Sequence, residues 1–410
     1  MSNPYTKLPT TEPLLKPSLP WRCTSAVIMG VTGAISRCFY YGFNNMEVIG
    51  LEKFKETLDR RKDPESRERG LITVSNHVSV LDDPVMWGVL PLRYAFNPEN
   101  LRWSLGSYDI CFKNNQFTNH KIACADTQFS RILSSFFTFG QVLPTHRHAY
   151  SEYGGLFQPT FTQAIRLLSS QPFSADHLDA PLSGKLSRKA SMKLRSPDIK
   201  DPFSSGELTY STTGTDVFPA PAAYINRKHS WVHIFPEGRV HQHPNKSLRY
   251  FKWGVSRLIL ESEPMPEIVP IFIDGNQDIM HESRKFPRFI PRVGKNVRIA
   301  FGESIDGEKI FGDLRLQWQR LVRLQKEALI KKGLDAHMEM GELTEGLKYA
   351  PEAVALRQEV TRRVRMEVLK VRKSLGYPDE DPKQGLVETW IEEGRSDGKK
   401  KKDGSWVGET

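Results

Sequence analysis

Residues 70–77 read Gly-Leu-Ile-Thr-Val-Ser-Asn-His, a short apolar run that breaks into polar residues at Asn76 and His77. Such a run is a buried strand that ends in a loop. The pattern returns at Trp231-Val232-His233-Ile234-Phe235, which leads into Pro236-Glu237-Gly238-Arg239. Further strands are expected over 267–273 and 296–301. Helices are expected over 51–58, 155–170, 313–332 and 353–375, with Phe157, Phe161, Ile165 and Leu168 on one face of the second. Strands interleaved with helices give an α/β fold, a mixed sheet that carries the His77 and Glu237 loops at one edge and is surrounded by helices.

The most membrane-like stretch lies between Arg22 and Arg37, through Ala26, Val27, Ile28, Met29, Val31 and Ile35. Thr24, Ser25, Thr32 and Gly33 dilute it, and it falls short of the about 18 apolar residues that a spanning helix needs. Pro-rich residues 9–20 precede it. An interfacial membrane anchor over 23–45 is therefore expected, rather than a spanning helix or a cleaved signal peptide. Arg22, Arg37, Tyr40 and Tyr41 would lie at headgroup depth. Apolar residues over 132–139 would help seat the cleft at the lipid interface.

The remaining organisation follows from composition. A flexible lead is expected over 1–22, a catalytic domain over 46–310, C-terminal helices over 311–375 and a basic, mostly disordered tail over 376–410. Within the catalytic domain, Ser, Asp, Pro, Lys and Thr dominate 171–222. Too little apolar surface is present there to offset the entropy of ordering, so the segment reads as a disordered insertion. The last helix sets Ala353, Leu356, Val360, Val364, Val368, Val371 and Leu375 at helical spacing. Arg357, Arg362, Arg363, Arg365, Lys370, Arg372 and Lys373 cover its other sides. That basic surface is either solvated or in contact with acidic headgroups.

The 410-residue chain has a formal charge of +10, which draws a protein toward polyanions. It has no zinc-finger, homeodomain or RNP-type signature, so an anionic membrane rather than nucleic acid is the expected partner. Cys23, Cys38, Cys111 and Cys124 show no C-x-x-C spacing, so neither a disulfide framework nor a metal centre is expected from them.

Four blocks carry chemistry. In Asn76-His77-Val78-Ser79-Val80-Leu81-Asp82-Asp83-Pro84, an imidazole follows a buried strand and a carboxylate follows five residues later. A turn that returns Asp82 to the ring would hold one imidazole nitrogen as N–H and leave the other to take a proton. The plainer reading is a capping Asp beside a hydrogen-bonded His. The second block, Phe235 through Arg239, groups a carboxylate, a glycine amide and a guanidinium. Arg239 suits a phosphate, Gly238 permits close approach, and Glu237 suits a glycerol hydroxyl or Arg239 itself. A surface turn with an incidental ion pair is the plainer reading.

The third block, Gly140 through Arg147, places another guanidinium after an apolar strand, and the fourth is a proline-bearing strand over 268–275. His146 and His148 alternate, as do His241 and His243, but no acidic or cysteine partner completes a metal set. Ser75 and Ser79 lie outside any G-x-S-x-G elbow, which disfavours an acyl-serine.

In this order the blocks resemble the motifs of the glycerolipid acyltransferases: Asn76, His77 and Asp82; then Gly140 and Arg147; then Phe235 to Arg239; then Val269-Pro270. A finer resemblance, to the tafazzin family, rests on residues 76–84, on 231–239 and on Lys252-Trp253-Gly254-Val255-Ser256-Arg257-Leu258-Ile259. It covers roughly residues 20–170 and 224–305. Arg239 departs from the family's usual Lys, and the insertion and the extended basic C-terminus are additions.

The resemblance implies acyl exchange between a phospholipid and a lysophospholipid, remaking cardiolipin from monolysocardiolipin without coenzyme A, another cofactor or a metal. It implies His77 as base and Asp82 as its orienting partner, with Asn76, Arg147, Glu237, Gly238 and Arg239 on the substrate. It also implies a peripheral or monotopic protein on cardiolipin-rich mitochondrial membranes, inner and outer, facing the intermembrane space. Two alternatives stand beside it. One is an acyl-CoA-dependent lysophospholipid acyltransferase of the 1-acylglycerol-3-phosphate type, and the other is a non-catalytic membrane lipid-binding protein.

Overall fold

A computed structural model describes residues 16–112, 126–170, 199–200, 209–334, 336, 338–393 and 404–407. Its centre is a seven-stranded sheet. The strands are β1 (Asn45–Ile49), β2 (Leu71–Ser75), β3 (Arg102–Ser107), β4 (Val142–Thr145), β5 (Trp231–Ile234), β6 (Glu267–Asp274) and β7 (Asn296–Phe301), in the spatial order β1-β7-β6-β2-β5-β3-β4. Strands β6, β2, β5, β3 and β4 run parallel. Strand β7 opposes β6, and β1 runs parallel to β7. The sheet is mixed, as the sequence implied.

Side chains leave a strand on alternate faces, and the buried residues sort accordingly. Ile72, Val74, Val232, Ile234, Ile268 and Phe272 enter one core, while Leu71, Trp231, Val269, Ile271 and Ile273 enter the other. The first core is covered by α4 (Pro159–Leu168), α5 (Gly254–Glu261), α6 (Gly307–Lys331) and α7 (Pro351–Ser374), which come after α1 (Leu19–Phe43), α2 (Leu51–Arg60) and α3 (Asp126–Phe139) in the chain. The second core takes Met29 and Tyr40 of α1, Phe54 and Leu58 of α2, and the turns around Trp87 and Tyr94.

Helix α4 is shorter than the expected 155–170, because Gly155 takes a positive φ and Pro159 opens the helix. All of Thr160 through Leu168 is buried, so α4 is a core helix. In α7 the expected stripe is buried from Ala353 to Val371. The basic residues divide in a way neither sequence reading anticipated. Arg357, Arg365 and Arg372 are buried and donate to backbone carbonyls of Lys348, Leu248 and Lys246. Arg362, Arg363, Lys370 and Lys373 pair with Glu359, Asp313, Glu367 and Asp379. A guanidinium has five donors on a long apolar stem, so it can cap several carbonyls from inside a helix packing surface.

The expected anchor falls on α1. No described helix is long and apolar enough to cross a membrane. One side of α1 is held to the protein through Trp21, Ser25, Met29, Ser36 and Tyr40, and the other exposes Val27, Val31 and Ile35.

The segments expected to be disordered are partly packed. Most of 171–222 lies outside the described residues, but Thr209–Tyr210 pairs with Phe218–Pro219, and Tyr210 and Phe218 are buried with Tyr108 and Phe112. Lys399 to Lys402 also lie outside them. In the tail, Trp390 is buried against His241, and Trp406–Val407 pairs antiparallel with His241–Gln242. Among the described residues of these segments, the aromatic Tyr210, Phe218 and Trp390 are buried and supply a large area each.

Candidate active site

The parallel strands bring their C-terminal ends to one edge of the sheet, where ligand sites of open α/β sheets form. Strand β2, flanked on both sides by parallel neighbours, delivers Asn76 and His77 there. Asn76 is fixed by its own side chain, whose amide donates to Ile273 O at 2.8 Å and accepts from Ile273 N at 2.8 Å. This imitates one more rung of the β2–β6 ladder and holds the loop that follows.

Beyond it the chain turns back, and Asp82 Oδ2 lies 2.9 Å from His77 Nδ1. The same oxygen accepts the backbone N–H groups of Val78 at 2.6 Å and Ser79 at 2.8 Å. Its partner Oδ1 accepts from Asn276 Nδ2 at 2.9 Å. Asp82 is fully buried, and these donors stand in for the water it has lost. A carboxylate facing Nδ1 selects the Nδ1–H tautomer and leaves Nε2 as the basic nitrogen. The His77 ring stacks on Phe235 at 4.4 Å, and its side chain retains 18% exposure. Asp83 serves elsewhere, accepting from Trp87 Nε1 and pairing with Arg102. Burial pushes its carboxyl up, but Arg102 and His233 outweigh that and hold it below the usual range.

Glu237 is packed against the His77 loop and lines a small cavity with Asn76, Val78 and Gln242. It is 1% exposed and accepts the backbone N–H of His77 and that of Arg249, each at 3.1 Å. Burial pushes its carboxyl up to about 8 against the pull of these two N–H groups and the nearby Arg365 and Arg249. Asn76 and Glu237 therefore brace the His77 loop through backbone groups.

Gly238 has φ +62°, a conformation that L side chains rarely adopt, so this turn favours glycine, and the Lys252 side chain packs over it. Arg239 follows in the same turn, half-buried. Arg147 lies past the end of β4, three strand spacings from β2 across β5 and β3, on the order of 14 Å. It pairs with Asp109 and stacks over Tyr150 at 4.2 Å. The structure thus gathers His77, Asp82, Glu237, Gly238 and Arg239 around one turn and sets Arg147 at a distance along the edge.

The sequence reading did not assign Tyr40, Asn276 or Gln242 to this centre, and Tyr40, expected at headgroup depth, is fully buried. Tyr40 of α1 donates to Asn276 Oδ1 at 2.9 Å, and Asn276 in turn holds Asp82. Gln242 donates to Val78 O at 2.8 Å, and the backbone of the adjacent His241 donates to His77 O at 2.7 Å. No local pattern marks them, because their partners are 164 to 236 residues away. Among the described residues no group of three His, Cys, Asp or Glu side chains converges as metal ligands.

A mixed sheet whose parallel edge presents an Asp-oriented imidazole, with no serine elbow, defines an O-acyltransferase of the glycerolipid class. No family model matches the chain. It is 31% identical to the tafazzin of Saccharomyces cerevisiae over 398 residues, 95% of this chain and 88% of that one. It is 26% identical to the tafazzin of Drosophila melanogaster, covering 74% of this chain and 57% of that one. It is also 28% identical to an N-acylphosphatidylethanolamine synthase of Arabidopsis thaliana, over 58% of this chain and 56% of that one. The chain belongs to the tafazzin family, and its chemistry is phospholipid acyl transfer.

Proposed function

We propose that this chain moves a fatty acyl group directly from a phospholipid to a lysophospholipid, without coenzyme A, with His77 as the general base. The 2.9 Å contact between His77 Nδ1 and the buried Asp82, which leaves Nε2 to take a proton, carries His77 as the base, and kinship with the tafazzins supports the direct exchange. Nε2 takes the proton of the lysolipid hydroxyl as its oxygen attacks the donor's ester carbonyl. The tetrahedral intermediate then collapses, the donor's glycerol oxygen leaves, and the imidazolium returns the proton to it. One ester bond breaks and one forms, so no energy source is consumed. Asp82 orients the ring and stabilises its charged form. Arg239, Gly238 and, farther along the edge, Arg147 bind lipid phosphates, with Arg147 exchanging its pairing to Asp109.

Family membership supports a finer assignment, the rebuilding of cardiolipin from monolysocardiolipin on mitochondrial membranes. The test is acyl transfer in bilayers of labelled phosphatidylcholine and monolysocardiolipin, without coenzyme A, alongside His77→Ala. Transfer by the wild type and none by the variant is expected. Transfer that requires added acyl-CoA would sink the direct-exchange reading.

A further inference from the structure

Between β6 and β7 the chain leaves the sheet and returns through residues 284–295, Arg-Lys-Phe-Pro-Arg-Phe-Ile-Pro-Arg-Val-Gly-Lys. Among the described residues its two phenylalanines are the most exposed large apolar side chains, Phe286 at 87% and Phe289 at 75%. Ile290 and Val293 are exposed beside them. Interleaved with these are Arg284, Lys285, Arg288, Arg292 and Lys295, and no acidic residue occurs between Glu282 and Glu303. Among the described residues its one ion pair is with buried Glu282, 3.9 Å from Arg284.

The loop's shape is set by its own cations. Arg284 Nε donates to Arg288 O at 2.6 Å, Arg288 Nη2 to Glu282 O at 3.3 Å and Arg292 Nη2 to Lys285 O at 3.3 Å. Carbonyls orient guanidinium groups but do not neutralise them, so like charges remain crowded. Exposed aromatic rings are unfavourable in water and crowded like charges repel one another, and one partner relieves both: a bilayer with acidic headgroups over an apolar interior.

Its anchorage points the same way. At one end Gly294 N donates to Phe43 O at 2.7 Å, which pins the loop to the end of α1. Phe43 is itself exposed there, as is Ile35. At the other end Glu282 N donates to Gln242 Oε1 at 2.9 Å, and Gln242 holds Val78 O in the His77 turn. One side-chain amide therefore separates the loop from the catalytic turn.

We propose that residues 284–295 form a docking surface for an anionic phospholipid bilayer, the phenylalanines entering the interface and the cations gathering acidic headgroups beside the His77 cleft. This rests on phospholipid acyl transfer as the function and adds the surface that brings the site to its substrate. The test reads binding, not turnover, so its outcome is independent of the catalytic assay. The full-length chain is floated with phosphatidylcholine vesicles, with and without phosphatidylglycerol. Phe286→Ser/Phe289→Ser and Lys285→Gln/Arg288→Gln are compared with the wild type, and thermal unfolding checks that each variant stays folded.

The wild type is expected to bind the anionic vesicles with salt-sensitive affinity. Each double variant should lose about tenfold or more in partitioning with an unchanged melting midpoint. Wild-type partitioning by either variant overturns the proposal. So does a wild-type chain that ignores both vesicle types, which would leave a protein partner as the occupant.

Discussion

The Tyr40 hydroxyl donates to Asn276 Oδ1 at 2.9 Å, and through Asn276 the helix α1 fixes the carboxylate that orients His77. Tyr40 is fully buried, and desolvation raises its phenol far above the ordinary range, so it stays a donor at every working pH. Because α1 also carries the exposed face of Val27, Val31 and Ile35, this hydrogen bond links that surface to the catalytic turn.

Tyr40→Phe removes the donor and leaves a buried Asn276 oxygen unsatisfied. The expected cost is about 1–3 kcal/mol in unfolding free energy. Asn276 can then rotate away from Asp82, so kcat should fall on the order of tenfold while KM holds. Denaturant titration and steady-state kinetics together check it. A loss of stability with kcat intact would make Tyr40 structural only.

Asp82→Asn keeps the shape but replaces an acceptor-only group by one that must present two N–H bonds. Four donors converge on that carboxylate: the His77 ring, Val78 N, Ser79 N and the Asn276 amide. The amide cannot satisfy them all, and it favours the wrong imidazole tautomer. Acyl transfer should drop by roughly 100-fold or more, with folding retained by circular dichroism. A fall of less than fivefold would count against His77 as base.

Glu237 gives a pH signature. Its carboxyl is raised from an ordinary 4.5 to about 8 by burial, so the folded chain holds a proton that the unfolded chain has released. Its contribution is fully present below pH 4.5 and is lost as the pH rises through about 8. Unfolding free energy should decline across that window at up to about 1.4 kcal/mol per pH unit. Glu237→Gln should flatten that slope, as measured by urea titrations at several pH values. An unaltered slope would assign the titration to other groups.

The parts legible in the sequence are those made by neighbours along the chain. Strand β2 is marked by its apolar run, and the His77–Asp82 contact closes over only five residues. The stripe of α7 repeats within one helix. The bracing contacts of Asn76 and Glu237 are not legible locally, because their partners are backbone groups far away in the chain. Ile273 lies 197 residues from Asn76, and His77 lies 160 from Glu237. Charge pattern misled for the same reason at Arg365 and Arg372, which reach residues 245–249. A helical wheel shows a cation on a polar side, but not the carbonyls of a distant loop waiting to be capped.

Those carbonyls supply the last prediction. Arg365 donates to Leu248 O at 2.8 Å and to Arg249 O at 3.1 Å, and pairs with Glu380 at 2.6 Å. Both side chains are nearly excluded from solvent, 9% and 3% exposed. Arg249 N in turn donates to Glu237, so α7 supports the brace behind His77 from the opposite side of the loop. Arg365→Ala leaves the buried Glu380 held only by the Leu248 N–H and by Arg372 at 3.8 Å, and frees two carbonyls, a loss of about 3 kcal/mol. Adding Glu380→Gln removes the buried charge and should recover part of that, giving a coupling of about 1 kcal/mol or more in a double-mutant cycle. The same cycle, read in kcat, separates the two functions of the pair. If Arg365 acts on the site through residues 248–249, the double variant regains stability but not turnover. If its function is only to neutralise Glu380, the two recover together.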